Sequence, residues 1–161
     1  MNGTARTEAP SIALARPVEP IWNGVPSLAV ANELSGRSLI GRLGIELLEV
    51  GEDYLSARMP VDDRTRQPMG VLHGGASVTL AETLASWAST FTVDRDRASS
   101  VGMEINANHL RPVTSGWVTG VARPIALGRR TQVWEIRITD DDGRLVCISR
   151  CTMAVISRSS P

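Results

Sequence analysis

Cysteine is scarce in this chain, and its two copies are poorly placed to be joined. Cys147 and Cys151 are four residues apart in a stretch that alternates like a β-strand, which puts them about 13 Å apart on one face. A disulfide requires Cα atoms closer than about 7 Å. The spacing also matches no zinc-binding motif. We therefore expect two reduced thiols packed in the sheet of a cytoplasmic protein.

A net charge is also missing. The 17 Lys plus Arg residues balance 17 Asp plus Glu residues, so no global field draws the chain to nucleic acid or to an anionic membrane. Residues 1–25 are rich in proline and contain no run of seven apolar residues, which argues against a signal peptide or membrane anchor there. We expect a flexible N-terminal extension over 1–25 and neither nucleic acid nor membrane as a partner.

Motifs for cofactors are missing as well. The sequence has no glycine-rich phosphate loop, no dinucleotide-binding fingerprint and no cluster of metal ligands. What it does have is 161 residues with 42% apolar content, enough for one domain with a real core. We expect that single domain to span residues 26–161.

Hydrophobic periodicity predicts one convincing helix, over residues 73–91, and a weaker one within residues 27–39. Alternating segments predict six strands, at 45–50, 54–61, 99–110, 116–127, 131–140 and 144–156. The sequence Asp140-Asp141-Asp142-Gly143 predicts a hairpin between the last two strands. The expected architecture is an α+β fold in which one long helix packs against a curved antiparallel sheet.

The long helix has two different faces. The apolar stripe that we expect to be buried consists of Ala76, Leu80, Leu84, Trp87 and Phe91. A second face carries Thr79, Glu82, Ser86 and Ser89. A carboxylate among alanines and leucines is expected to be partly desolvated, so Glu82 needs a partner or a task.

The segment Gln67 to Ser86, which reads QPMGVLHGGASVTLAETLAS, resembles the signature of hotdog-fold acyl-CoA thioesterases. Within them it is most similar to the branch typified by 1,4-dihydroxy-2-naphthoyl-CoA thioesterase. The resemblance continues through residues 101–111 and 127–134 and covers about residues 41–156. It implies a hotdog fold, in which the sheet wraps the long helix, and hydrolysis of an acyl-CoA to a free acid and coenzyme A.

Five residues fit the functional pattern of that family: Gln67, His73, Gly74, Glu82 and Ser86. The free N–H groups expected at Gly74 and Gly75 stand at the positive end of the helix dipole. The resemblance implies that the Gly74 N–H polarises the thioester carbonyl. Gln67 and His73 help to hold substrate or water, and Ser86 orients the carboxylate or holds the water.

Glu82 is the implied catalytic carboxylate, with two roles left open. It either attacks the carbonyl and forms a mixed anhydride or acts as general base to a water. Structural alternatives also stand: Glu82 pairing with an arginine, His73 capping the helix, Gln67 anchoring its loop and Ser86 filling the helix.

Geometry predicts that the site needs two chains. Nine residues of helix separate His73 from Glu82 by about 13.5 Å, too far for both to reach one thioester carbonyl. A two-fold partner with an antiparallel helix would bring His73 of one copy opposite Glu82 of the other. We expect at least a homodimer, and the family commonly forms a homotetramer.

The resemblance also places residues around coenzyme A. Those implied are Gly102, His109, Leu110, Arg111, Pro112, Ala126, Leu127, Gly128, Arg129, Arg130 and Thr131. Arginine suits phosphate by charge and bidentate geometry, although solvated loop arginines are the alternative. Thioester hydrolysis here is expected to need no cofactor.

Two other functions are considered beside the thioesterase: a hotdog hydratase or dehydratase, and a non-catalytic acyl-CoA-binding module. The acyl group stays open among benzoyl, hydroxybenzoyl, dihydroxynaphthoyl, phenylacetyl and medium aliphatic groups.

Overall fold

The computed structural model describes residues 19–158, which form one long helix on a six-stranded antiparallel sheet. The helices are α1 (Leu28–Ser35), α2 (Leu39–Arg42) and α3 (Gly74–Thr92). The strands are β1 (Glu46–Val50), β2 (Leu55–Pro60), β3 (Ala98–His109), β4 (Trp117–Leu127), β5 (Thr131–Asp140) and β6 (Leu145–Ser157), in the sheet order β1-β2-β4-β5-β6-β3. The predicted α+β fold is confirmed, and each strand end lies within one residue of its prediction.

The region predicted as one short helix, residues 27–39, forms α1 and the start of α2 instead. Gly36 ends α1 by donating its N–H to carbonyls of the last turn. Ser38 then adopts an extended conformation and starts α2, because its hydroxyl accepts a hydrogen bond from the Ile40 N–H at 3.2 Å. The break lets α2 turn back so that Leu39 and Ile40 line the same cavity as the middle of α3.

The core lies between α3 and the sheet. Leu80 and Leu84 of α3 are fully buried in one cluster with the inward side chains of β5, which are Trp134, Ile136 and Ile138. The predicted alternation of β5 is therefore confirmed. Two predictions for α3 were wrong: Trp87 is only half-buried, and Ser89 is fully buried because its hydroxyl bonds to the Ser100 hydroxyl of β3.

β3 is a long edge strand. Eleven of its 12 residues pair with β6, the register shifts at Met103, and no second strand within residues 19–158 pairs with its other side. Val101 and Met103 on this strand are 44% and 64% exposed. An exposed edge with apolar side chains is a ready template for strand pairing with another chain.

Part of the predicted N-terminal extension, residues 1–18, lies outside the described residues. Within its remaining residues, Ile21 to Asn23 contact the domain. The Trp22 indole N–H donates to the Gly51 carbonyl at 2.7 Å, and the Asn23 N–H donates to the Phe91 carbonyl at 2.7 Å. This segment therefore ties the C-terminal turn of α3 to the turn between β1 and β2.

Candidate active site

The first turn of α3 leaves one backbone N–H without a partner. His73 is the N-cap, and its Nδ1 accepts a hydrogen bond from the Gly75 N–H at 2.8 Å. The N–H groups of Ala76 and Ser77 both donate to the His73 carbonyl. None of the hydrogen bonds found within residues 19–158 uses the Gly74 N–H. Gly74 thus presents a free donor at the positive end of the helix dipole.

The expectation that both glycines offer free N–H groups was wrong for Gly75, because the His73 ring takes its N–H. Since Nδ1 accepts this bond, the neutral imidazole carries its proton on Nε2. The capping role considered as an alternative for His73 is therefore present, and it leaves the Nε2–H as a second donor at the helix start.

His109, at the end of β3, packs directly over Gly74. A Cβ atom at position 74 would lie 2.8 Å from His109 Nε2, closer than a real Cβ contact allows. A cavity of about 320 Å³ opens at this point. The predicted coenzyme-binding residues that line it together with Gly74 are His109, Leu110, Arg111 and Pro112.

Gln67 lies in the loop that leads into His73. Its side-chain oxygen accepts a hydrogen bond from the Met69 N–H at 3.0 Å, and its backbone N–H donates to the Val71 carbonyl at 2.9 Å. The side-chain oxygen therefore anchors the loop, and the amide NH₂ is the group left to contact a ligand.

A second set of residues meets in the middle of α3. The Glu82 carboxylate lies over Gly102 of β3, where a Cβ atom would come within 2.7 Å of Glu82 Oε1. Only glycine leaves room for the carboxylate in this position. No spacing pattern in the sequence connects these two residues.

Glu82 is exposed in the single chain, so the expectation that its carboxylate is partly desolvated was wrong for one chain alone. The reason is that the chain's own sheet covers the opposite side of α3, and β3 is its last strand on the side of Glu82. Any desolvation of this carboxylate must come from a ligand or another chain.

Glu82 borders a cavity of about 420 Å³ between α3 and α2. Ser86, predicted to act with Glu82, lines the same cavity. The lining also includes the hydroxyl side chains Thr79, Thr83 and Thr90, the apolar Leu39, Ile40 and Trp87, and Arg95. Sequence reasoning missed Leu39, Ile40, Thr83, Thr90 and Arg95. For Leu39, Ile40 and Arg95 the reason is that no local signal reports which loop or short helix folds over α3.

Trp87 is held in place as a wall of this cavity. Its indole N–H donates to the buried Ser35 hydroxyl of α1 at 3.2 Å. Its ring packs against Phe91, with centroids 5.6 Å apart, and Phe91 in turn makes an edge contact with Trp22. The N-terminal segment therefore supports this wall from behind.

The other predicted coenzyme-binding residues form the exposed hairpin between β4 and β5. They are Ala126, Leu127, Gly128, Arg129, Arg130 and Thr131. The Gly128 N–H donates to the Thr131 carbonyl, and the Arg130 carbonyl accepts from the Val155 N–H, both at 2.9 Å. These bonds fix the hairpin backbone and leave the two arginine side chains in solvent.

Within one chain, the two sets of predicted coenzyme-binding residues, the segment His109 to Pro112 and the β4–β5 hairpin, lie far apart. Gln132 at the hairpin is in register with Met153, which is in register with Gly102, so the hairpin lies at the Glu82 end of the sheet. His109 pairs with Cys147, which is in register with Ile138. Ile138 is six residues, or about 20 Å, from Gln132 along β5. His109 to Pro112 therefore lie at the Gly74 end of the site, and the hairpin lies at the Glu82 end.

The described residues contain no ready cysteine nucleophile, no cluster of metal ligands and no helix suited to span a membrane. Burial raises the pKa of Cys147, and burial with the charges of Glu82 and Glu104 raises the pKa of Cys151 to about 12, so neither buried thiol is a ready nucleophile at neutral pH. Within residues 19–158, no three His, Cys, Asp or Glu side chains cluster as metal ligands would. In the same part of the chain no helix has the length and apolar character that crossing a bilayer demands.

Comparisons with known proteins agree with one another. The family model described as the thioesterase superfamily matches residues 69–147. The chain is 50% identical over 136 residues to a proofreading thioesterase from Cronobacter turicensis, covering 84% of this chain and 98% of the relative. It is 46% identical over 136 residues to a 1,4-dihydroxy-2-naphthoyl-CoA hydrolase from Escherichia coli, covering 84% and 99%.

A solved structure gives the same result. A mutant thioesterase from Pseudomonas aeruginosa matches with a TM-score of 0.85 and 50% identity, covering 86% of this chain and 99% of that one. The structural similarity therefore extends over most of this chain and nearly all of that one.

Proposed function

This chain belongs to the thioesterase superfamily and is an acyl-CoA thioesterase; we propose that Gly74 and Glu82 carry its chemistry and that each site combines them from two copies. The match to a solved thioesterase confirms the hotdog fold that the resemblance implied. The substrate is an aryl- or other acyl-CoA, and the products are the free acid and coenzyme A.

The observation that carries the proposal is the separation of two incomplete halves on one helix. The free Gly74 N–H and the Glu82 carboxylate lie eight residues apart, about 12 Å along α3. A thioester carbonyl and its attacking group are within about 3.5 Å of each other in a reactive complex. One chain therefore supplies either half to a given substrate, but not both.

The edge strand supplies a way to join the halves. Along β3, Gly102 lies at Glu82 and His109 lies at Gly74, so β3 runs antiparallel to α3. If β3 pairs antiparallel with its two-fold copy, the two α3 helices also lie antiparallel, with Gly74 of one copy toward Glu82 of the other. The same pairing brings the His109 to Pro112 segment toward the hairpin with Arg129 and Arg130.

In the shared site, the Gly74 N–H donates to the thioester oxygen and stabilises the oxyanion that forms on attack. One such donor contributes about 2.7 to 4 kcal/mol to the transition state. Glu82 acts in one of two ways. As nucleophile it bonds to the carbonyl carbon, the C–S bond breaks and coenzyme A leaves as thiolate, after which water cleaves the anhydride. As general base it takes a proton from the attacking water and passes it to the departing thiolate.

The supporting residues take roles that their positions allow. Ser86 lines the Glu82 cavity one turn along α3 and orients the carboxylate or the water. The His73 Nε2–H and the Gln67 amide NH₂ donate to substrate or water at the helix start. Arg111 at one end, and Arg129 with Arg130 at the other, bind the phosphates of the nucleotide. No cofactor is required, because a thiolate leaves readily once a donor and a carboxylate are in place.

We place the enzyme in the cytoplasm as a homodimer or a pair of dimers. The two reduced, buried cysteines suit that compartment, and the uncovered β3 edge suits the dimer. The neutral formal charge supports neither nucleic acid nor membrane as a partner. The two relatives are named as a thioesterase and a hydrolase. These names support hydrolysis over the two alternatives, hydratase activity and acyl-CoA binding without catalysis.

The test is subunit mixing in a thiol-release assay over a panel of acyl-CoA substrates. Glu82→Ala and Gly74→Pro should each be inactive, and mixing them should restore activity to at most about a quarter of wild type, because only mixed dimers contain one intact site. Circular dichroism and subunit exchange of the two variants serve as controls. A fully active monomer in sedimentation at assay concentration would overturn the shared site.

A further inference from the structure

The cavity beside Glu82 carries charge at its two ends and not in its middle. Of the residues that line it, only Glu82 and Arg95 are charged. Arg95 comes from the loop after α3 and borders both this cavity and the smaller adjoining one of about 170 Å³. Because both cavities share Trp87 and Thr90 too, Arg95 stands at their junction, away from Glu82.

Arg95 has no acidic partner among residues 19–158, which contain no carboxylate within ion-pair distance of its guanidinium. The acidic residues beside it in the loop are Asp94 and Asp96. Asp94 is engaged with Arg97 at 3.9 Å and accepts the Asp96 N–H at 3.0 Å. The guanidinium of Arg95 is therefore a fork-shaped donor without an acidic partner in the described chain, and its geometry matches a planar carboxylate through two parallel hydrogen bonds.

The length and walls of the cavity limit what lies between the two charges. Glu82 and Thr90 are eight residues apart on α3, about 12 Å along its axis. Leu39, Ile40 and the fixed ring of Trp87 form apolar walls over that distance. A flat aromatic ring fits such walls, since aromatic pairs gain from stacking and edge contacts.

We infer that Arg95 selects aromatic acyl groups that carry a carboxylate remote from the thioester, an inference that rests on the proposed role of Glu82. The thioester lies at Glu82, the ring lies against Trp87, and the remote carboxylate pairs with Arg95. The charge of Glu82 opposes the reversed orientation, because it would repel the substrate carboxylate. The two charges together therefore give both selectivity and direction.

The experiment compares 4-carboxybenzoyl-CoA with benzoyl-CoA and 4-hydroxybenzoyl-CoA in the thiol-release assay. Wild type should prefer the carboxylated substrate in kcat/KM, and Arg95→Gln should reduce that preference by about tenfold, as expected for a charge-assisted pair in a partly solvated site. Arg97→Gln, which removes an equal charge from the same loop outside the cavity, should keep the preference. Arg95→Lys should retain part of it.

A binding measurement tests the role of Arg95 independently of turnover. Calorimetry with the Glu82→Gln variant should show tighter binding of 4-carboxybenzoyl-CoA than of benzoyl-CoA, and the added change Arg95→Gln should remove the difference. Hydrolysis of benzoyl-CoA or 4-hydroxybenzoyl-CoA in preference to the carboxylated substrate, or equal effects of the Arg95 and Arg97 changes, would overturn the role of Arg95 and leave the thioesterase intact. Hydrolysis of none of the three would count against both.

Discussion

The two ends of the candidate site on α3 are built in different ways. At the start of the helix, the functional group is a backbone N–H, and its neighbours His73 and Gly75 are close in sequence and bonded to each other. In the middle of the helix, the functional group is the Glu82 side chain. It lies over Gly102, a residue of the distant strand β3, and is exposed to solvent. The donor of the first half is set by local bonds, whereas the position of Glu82 in the second half depends on a tertiary contact and on what covers it.

This difference has an energetic consequence. A backbone donor at a helix start is held by the helix itself, so a substitution there disturbs folding as well as function. An exposed carboxylate on a rigid helix can be changed with little effect on stability.

Glu82→Gln should reduce kcat by at least about 10²-fold, because the amide keeps the shape of the carboxylate but is neither nucleophile nor base. Its Tm should stay close to that of wild type. Steady-state kinetics and thermal unfolding measure the two effects. Glu33→Gln, which changes an exposed carboxylate on the helix α1, is the matched control. A Glu82→Gln variant with near wild-type turnover would disprove the assignment.

Gly102→Ala tests whether the strand positions the carboxylate. The added Cβ would lie 2.7 Å from Glu82 Oε1, so the end of the Glu82 side chain must move. A displacement of this kind should lower kcat by roughly tenfold to 10²-fold, with little loss of stability because the atom displaced is the end of a flexible side chain. Leu48→Ala, at an exposed leucine of β1 on the opposite edge of the sheet, is the control. Unchanged kcat in Gly102→Ala would mean that the reactive position of Glu82 differs from the one seen here.

Arg129→Ala combined with Arg130→Ala tests the hairpin. If these side chains bind nucleotide phosphates, KM should rise about tenfold for acyl-CoA and change little for the matching acyl-pantetheine, which lacks the nucleotide. Arg123→Ala, on β4 but paired with Asp53, removes an arginine from another part of the sheet and serves as control. Equal effects on the two substrates would rule out phosphate binding by the hairpin.

His73→Ala tests the start of the helix, where loss of the cap should cost about 1 kcal/mol and lower Tm by about 2–4 °C. His73→Asn should recover most of the lost Tm, because asparagine also caps helices well. If activity returns together with Tm, the role of His73 is capping. A variant with restored Tm and low kcat would show that the Nε2–H acts on the substrate.

The smallest effect is expected at Cys151, which lies near the Glu82 half. Its raised pKa of about 12 and its burial keep the thiol protonated, so iodoacetamide at pH 7 should leave kcat unchanged and add no mass to the native protein. Mass spectrometry after treatment checks this, with urea-unfolded protein as the reactive reference. Rapid alkylation of native protein would mean that β6 opens readily.

Sequence reasoning succeeded where the signal is periodic or local. The strands were found to within one residue because β-strands alternate and their turns have a composition of their own, as in Asp140 to Gly143. It failed at α1 and α2, where the polar residues Ser35 to Ser38 end one short helix and cap the next. It also failed at Gly75, since capping by a histidine side chain is not a pattern that residue spacing reveals.

By itself, the sequence determined the long helix, the alternating strands of an α+β fold, and the pairing of a glycine helix start with a carboxylate nine residues after His73. These follow from periods of 3.6 and 2 and from the chemistry of residue types. Only the tertiary structure decided that Gly102 lies under Glu82, that α2 and Arg95 close the cavity beside it, and that His109 and the Arg129 hairpin lie at opposite ends. Contacts between residues distant in the chain depend on how whole elements pack, and no local pattern encodes that packing.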